Sequence, residues 1–217
     1  MGMTDFQIAE KYAPILSNAL SDLPQGSKVA WLGQKHPKYG KDTVIYDPVV
    51  NIVKRDDLVH HFYDIANESG ENCFNWDVHD RWQISGYDLV LGIRVLYLCE
   101  SRSLMIRNIT ETAKNNKKLV FDFMSGNPRV EGDTVFFEKK EGSKSIMPML
   151  TQFWPEGTRY LAKASHEDQT VYMGDFTRIQ GAYEETNKVK LELDNLLTFR
   201  DSVKNRFYSL CEIRKWW

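Results

Sequence analysis

Several groups of residues in this chain are of types that could do chemistry. Lys35, His36, Lys38 and Lys41 crowd into one polar loop between Gln34 and Asp42. Its ammonium groups could hold a phosphate, and His36 could act as a general base because imidazole titrates near neutrality. The same composition also describes a solvated surface loop. His60 and His61 stand near Asp56, Asp57 and Asp64, which suggests a metal. On the helix predicted here, adjacent residues point about 100° apart, so the two imidazoles cannot share an ion. His60 and Asp64 do share a face, but two ligands are not a site, and no metal is expected. Cys73, Cys99 and Cys211 lie far apart among apolar residues and show no CxxC spacing. They read as buried thiols in a reducing compartment. No Ser-His-Asp grouping, nucleophile elbow or phosphate-loop signature is present, so no catalytic residue can be named.

The elements that must position these residues follow from periodicity. Thr4 and Gln7 have capping-box spacing ahead of a helical stripe of Ile8, Tyr12, Ile15, Leu16 and Leu20, interrupted by Pro14. A kink or two short helices are expected there. Lys28–Gly33 and Thr43–Asp47 read as short strands. A helix is predicted from about Arg55 to Glu68 with Leu58, Phe62 and Ile65 on one face, and a third strand over Asn72–Asp77. Next comes a β-α-β unit, with Asp88–Gly92 and Lys118–Met124 as strands and Glu100–Asn115 as most of the helix. The nine residues Gln34–Asp42 are too few for a helical crossover. Either the crossover has shrunk to a loop or the first two strands form a hairpin.

Beyond Ser125 the pattern changes. Thr134–Phe137 and Thr170–Met173 are plausible strands, and Met147–Trp154 is an apolar segment. Phe153, Trp154, Arg159, Tyr160 and His166 could form a substrate wall or simply pack an irregular subdomain. From Glu184 onward, Leu193, Leu196, Leu197, Val203, Phe207, Leu210 and Cys211 recur at helical steps, which predicts a long amphipathic helix that docks on the sheet or forms a homodimer.

Composition bounds the reading. With 217 residues, 42% of them hydrophobic, the chain suits a single domain. It divides into a helical lead-in (1–27), an α/β core (28–125) and a C-terminal α+β extension (126–217). A formal charge of −2 argues against a nucleic-acid binder that relies on bulk basic charge. No apolar run approaches the ~20 residues that cross a bilayer, and the N-terminus lacks signal-peptide order. A cytoplasmic protein is expected, with no membrane partner.

The run NCFNWDVHDRWQISGYDLVLGIRVLYL, followed by a helix and KKLVFDF, resembles the second half of a class I methyltransferase. That family has a doubly wound, mostly parallel α/β sheet that binds S-adenosylmethionine. Asp77, Asp88 and Phe121 fall where its pattern places them, and the resemblance covers about Lys28–Met124. It implies that a carboxylate ending the second strand accepts both ribose hydroxyls, with Asp47 as the candidate. Asp47 equally suits the start of a turn at Pro48. It further implies that Asp77 accepts from the adenine amine and that the Val78 backbone N–H meets the ring. Trp82 could stack on a base or fill the gap between sheet and helix. The family's first strand runs into a glycine-rich turn, where this chain has only Gly33 in a plausible position. The expected activity is methyl transfer to a small molecule or a nucleic acid. The alternatives are an inactive methyltransferase-like binding or scaffold module, and a nucleotide- or sugar-nucleotide-binding enzyme on a similar sheet.

Overall fold

The computed structural model describes residues 2–39, 45–98, 102–126, 129–131, 134–136, 162–166, 169–173, 190–204 and 206–216. The chain opens on α1 (Asp5–Ser21). Thr4 caps it: its hydroxyl accepts the Gln7 N–H at 3.2 Å, and Gln7 Oε1 accepts the Thr4 N–H at 2.9 Å. Pro14 leaves one continuous helix rather than two short ones. Both Pro14 and Glu10, whose carbonyl loses its helical donor, face water, so solvent replaces the missing bond.

No basic residue stands in the last turn of α1. Arg55 supplies the charge from across the fold, donating to the carbonyls of Leu20, Ser21 and Leu23 at 2.6–3.0 Å. Asp57 holds the guanidinium in place with two 2.8 Å bonds. Carbonyls at a helix end have no partner within the helix, so this fork matters to the docking of α1. Arg55→Ala is expected to lower the melting temperature by roughly 5 °C. Arg55→Lys should restore only part of the loss, because an ammonium cannot span three carbonyls and a carboxylate. Thermal unfolding followed by circular dichroism checks both.

The main sheet has seven strands: β1 (Lys28–Leu32), β2 (Val59–Asp64), β3 (Cys73–Asn75), β4 (Leu89–Gly92), β5 (Lys118–Gly126), β10 (Lys190–Asp201) and β11 (Arg206–Trp216). Their order is β10-β11-β5-β4-β1-β2-β3. β1 pairs in parallel with both β2 and β4, β3 with β2, and β5 with β4. β11 runs antiparallel to β5, and β10 antiparallel to β11. The fold is therefore an open, doubly wound, mostly parallel α/β sheet, and the order reverses between β1 and β4. A second sheet joins β6 (Arg129–Glu131), β7 (Thr134–Phe136), β9 (Gln169–Met173) and β8 (Ala162–His166) in that order.

Alternation along the strands divides the core. Val29, Trp31, Leu89, Leu91 and Val120 face α1 and the short α2 (Tyr46–Val50), together with Phe199, Tyr208 and Leu210. On the opposite face Phe121 stacks on Trp82 with rings 15° apart, and the Trp82 N–H donates to Asn108 of α3 (Arg102–Asn115). Trp82 is thus packing between sheet and helix. Gly92 is a glycine because any side chain there would strike the Phe121 ring.

Three expectations need correction. The second strand is not Thr43–Asp47 but β2, inside the segment expected to be helical from Arg55 to Glu68. Among the described residues the connection from β1 to β2 contains a 3-10 turn (Pro37–Tyr39) and α2, and the two strands pair in parallel rather than as a hairpin. The helix-like spacing of Leu58, Phe62 and Ile65 does not mark one buried face, since Leu58 and Phe62 are buried while Ile65 is 65% exposed. The long C-terminal helix is the hairpin β10–β11, in which a register shift between Asn195 and Leu197 breaks the two-residue alternation and leaves three- and four-residue spacings. A helix-mediated dimer loses its premise with that helix. Met147–Trp154, Phe153, Trp154, Arg159 and Tyr160 lie outside the described residues, as do Lys41 and Cys99. Cys73 and Cys211 are both buried. Among the described residues no helix is long and apolar enough to cross a membrane, and no cluster of three or more His, Cys, Asp or Glu could hold a metal.

Candidate functional site

In a doubly wound sheet the natural crevice lies beyond the carboxyl ends of the strands, at the reversal of order. Here that is where β1 and β4 end side by side. Gly33 leaves β1 with φ +69°, a left-handed conformation that favours glycine. A Cβ at Gly33 would lie 2.8 Å from Val95 Cγ2, so Val95 fills the space beside the glycine. Arg94, just before Val95, is the one non-glycine residue with positive φ (57°) among those described. The Tyr63 carbonyl of β2 accepts the Gly33 N–H at 2.7 Å and the Gln34 N–H at 3.2 Å, folding the chain over the end of β2. Two buried amides lock this arrangement. Gln34 Oε1 takes the Ile45 N–H, while Asn67 takes the His36 N–H and donates to the Phe62 carbonyl.

The carboxylate that ends β2 is Asp64. Its Oδ1 accepts the Ala66 N–H at 2.8 Å, an Asx turn that fixes the side chain, and Oδ2 has no partner among the described residues. Asp47 sits instead in the first turn of α2, not at a strand end. Asp64 pairs in register with Asn75, and its carbonyl accepts the Trp76 N–H at 3.2 Å, so the end of β3 lies beside it.

Asp77 follows two residues past β3. Its Oδ1 takes both the backbone N–H (2.9 Å) and the Nδ1 (2.8 Å) of His79. These two bonds, the backbone one foremost, hold the Asp77 carboxyl below the usual carboxylate range. Asp77 Oδ2 is unengaged among the described residues, and so is the Val78 backbone N–H. Asp64 ends β2 and Asp77 lies just past the neighbouring β3, two carboxylates of the same design, each with one oxygen held by its own turn and one left open among the described residues. Directly after Asp64 comes Ile65, 65% exposed.

Other candidates are placed elsewhere. Asp88 accepts the Lys28 N–H (2.8 Å) and the Lys117 ammonium (2.6 Å) at the opposite, amino edge of the sheet, where it joins strand starts. His36 accepts the Lys38 N–H on Nδ1 and sets its ring edge-on to Phe62, while the Lys38 ammonium lies over the Tyr39 ring. The described part of the basic loop is folded on itself.

His60 and His61, neighbours on a strand, point to opposite faces. His61 Nδ1 meets the Tyr87 hydroxyl at 2.7 Å. His60 Nδ1 accepts from the Trp31 indole at 3.0 Å and its Nε2 lies 3.2 Å from the Arg55 carbonyl, an arrangement only the neutral Nε2–H tautomer satisfies. Burial pushes His60 below the ordinary histidine value. A proton is then bound more readily by the unfolded chain, so this stabilisation is complete above about pH 6.5 and is lost as pH falls toward the folded value. Urea titrations between pH 7.5 and 5 should show stability falling, with a contribution from His60 of at most about 1.4 kcal/mol per pH unit. His60→Gln, which keeps an acceptor for Trp31, should flatten the slope.

No protein-family model matches the sequence, and no curated protein is significantly similar to it. Distant structural likeness extends over nearly the whole chain. Magnesium protoporphyrin IX methyltransferase from Synechocystis PCC 6803, with bound SAM, aligns at a TM-score of 0.45 and 10% identity, covering 96% of this chain and 81% of the other. The Burkholderia thailandensis 1,6-didemethyltoxoflavin-N1-methyltransferase, with its substrate and S-adenosylhomocysteine, aligns at 0.44 and 9%, covering 98% and 78%. An N-methyltransferase from Bradyrhizobium japonicum WM9 aligns at 0.43 and 13%, covering 98% and 99%.

Proposed function

We propose that this chain binds S-adenosylmethionine across the carboxyl ends of β1 to β4 and transfers its methyl group to an acceptor. The observation that carries the reading is the pair of open carboxylates, Asp64 and Asp77, at and just past adjacent strand ends by the crevice. Asp64 Oδ2 suits the two ribose hydroxyls, since one ionised oxygen can accept two charge-assisted bonds. Asp77 Oδ2 and the Val78 N–H set an acceptor beside a donor, the complement of the amine and ring nitrogen on the edge of adenine. The exposed Ile65 supplies an apolar wall for a flat base.

Bound here, the cofactor would supply a methyl group on a sulfonium, the electrophile. The work of these residues is to bind and orient it, because methyl transfer needs alignment more than a particular acid or base. Gly33, with Val95 already against it, adds no recognition of its own to this list.

The test is calorimetric titration with S-adenosylhomocysteine beside its hypoxanthine counterpart, in which donor and acceptor on the base edge are exchanged. Binding of the first and at least tenfold weaker binding of the second is the expected result. No heat with either, from folded protein, would sink the reading. Binding without turnover across an acceptor screen would favour the inactive binding module.

A further inference from the structure

The described residues include six large hydrophobic side chains that are well exposed, and four of them border the carboxyl edge of the sheet. One is Ile65. The other three, Phe6 (49%), Leu98 (49%) and Val203 (67%), belong to elements that are tied together on the far side of the β1/β4 crevice. Arg94, just past β4, bonds Asp5 in the first turn of α1 at 2.9 Å. The Met3 N–H donates to Asp201 at 2.8 Å, and the Lys204 ammonium donates to the Met3 carbonyl at 2.7 Å, fastening α1 to the turn between β10 and β11. Leu98 ends the 3-10 turn Leu96–Leu98 that follows Arg94, its N–H on the Val95 carbonyl.

Phe6 is three and seven residues before the buried Ala9 and Ala13, so it continues the core-facing stripe of α1 beyond the sheet. Among the described residues, the charged groups of this corner are engaged with one another or with the backbone. Arg94 faces Asp5 and Asp122, Asp201 accepts the N–H groups of Met3, Val203 and Lys204, and Lys204 sits on Met3. A nucleic acid needs cations for its phosphates, and these elements present apolar surface instead.

From this corner we infer that the methyl acceptor is an uncharged, apolar ring compound that docks on Phe6, Leu98 and Val203. The inference rests on the cofactor reading above and deepens it. An acceptor held there lies next to the end of β4, on the opposite side of the crevice from the carboxylates that would take adenosine. Apolar contact brings it in, and its nucleophilic atom is the only polar group it must present.

The experiment uses the full chain and 1-naphthol, a fluorescent neutral aromatic alcohol, titrated with and without saturating S-adenosylhomocysteine. Saturable binding is expected, weakened at least tenfold by Val203→Asp and by Phe6→Asp, with the affinity for S-adenosylhomocysteine unchanged in both. Val203 is in an exposed turn and contributes only its backbone N–H to Asp201, so at least that variant should fold. Absence of naphthol binding, including through coverage of this corner by another part of the chain, would overturn the inference. So would binding indifferent to both substitutions, or displacement of naphthol by a single-stranded oligonucleotide. Failure of S-adenosylhomocysteine to bind, with naphthol binding still sensitive to Val203→Asp, would remove the cofactor reading and leave the apolar dock standing.

Discussion

Asp64→Ala weakens binding of S-adenosylhomocysteine by about 100-fold, the loss of two hydrogen bonds to a charged acceptor. The substitution leaves unfolding nearly unchanged, since among the described residues the Asp64 side chain accepts only the Ala66 N–H. Asp47→Ala, the substitution that the sequence alone would recommend, leaves the affinity within twofold. Calorimetry on the three proteins distinguishes the two carboxylates directly. Equal losses at both positions, or a loss at Asp47 alone, would mean that the ribose is not held at the end of β2. Asp64→Asn is informative as well: it keeps shape and one acceptor but removes the charge, so an intermediate affinity identifies how much of the effect is charge-assisted.

A second large effect is expected at Arg94. Its guanidinium is 6% exposed and lies 2.8 Å from Asp122, which is 2% exposed on β5. Asp122 also accepts the Arg94 backbone N–H at 2.6 Å, and Asp5 takes the other side of the fork. Burial pushes the Asp122 carboxyl up, and the two Arg94 donors oppose that. Arg94→Met strands the buried Asp122 carboxyl without its charged partner. Removing one member of a buried pair costs about 3–5 kcal/mol. Urea unfolding should show that loss, and Arg94→Met with Asp122→Leu should recover most of it because no charge is left stranded. The pair also explains the positive φ at Arg94. A conformation unfavourable by roughly 1–2 kcal/mol persists because the same carboxylate grips both the backbone and the side chain of the residue that adopts it.

The parts of this architecture that could be read from the sequence are those whose strands are buried on both faces. VAWL, LVLG and LVF are unbroken apolar runs, and the helix between β4 and β5 separates the last two. β2 was not readable because VHHFYD places His60 and Phe62 on one face and His61 and Tyr63 on the other. All four are rings, three of them with polar tips, so neither alternation nor an apolar run is visible. Once β2 is misplaced, Asp64 cannot be recognised as a strand-end carboxylate and the role falls to Asp47. That Asp77 and Val78 follow closely on a strand was legible because β3 was. The part played by His79 needed the geometry, since an Asp-x-His spacing is common in turns and says nothing until both bonds to Oδ1 are seen. The β10–β11 hairpin was hidden by its register shift, and only pairing with β5 reveals it.

Tyr12 of α1 packs against Phe199 at 5.5 Å between ring centres, and Tyr208 and Leu210 belong to the same core. Helix α1 therefore finishes its packing only against strands that are synthesised much later than itself. At ordinary elongation rates that interval is roughly 10–40 s. Throughout it, the face of α1 bearing Ile8, Tyr12 and Leu16 has β1 and β4 to lean on but not the β10–β11 hairpin. A ribosome stalled before residue 199 holds a nascent chain in which the apolar face of α1 is only partly covered.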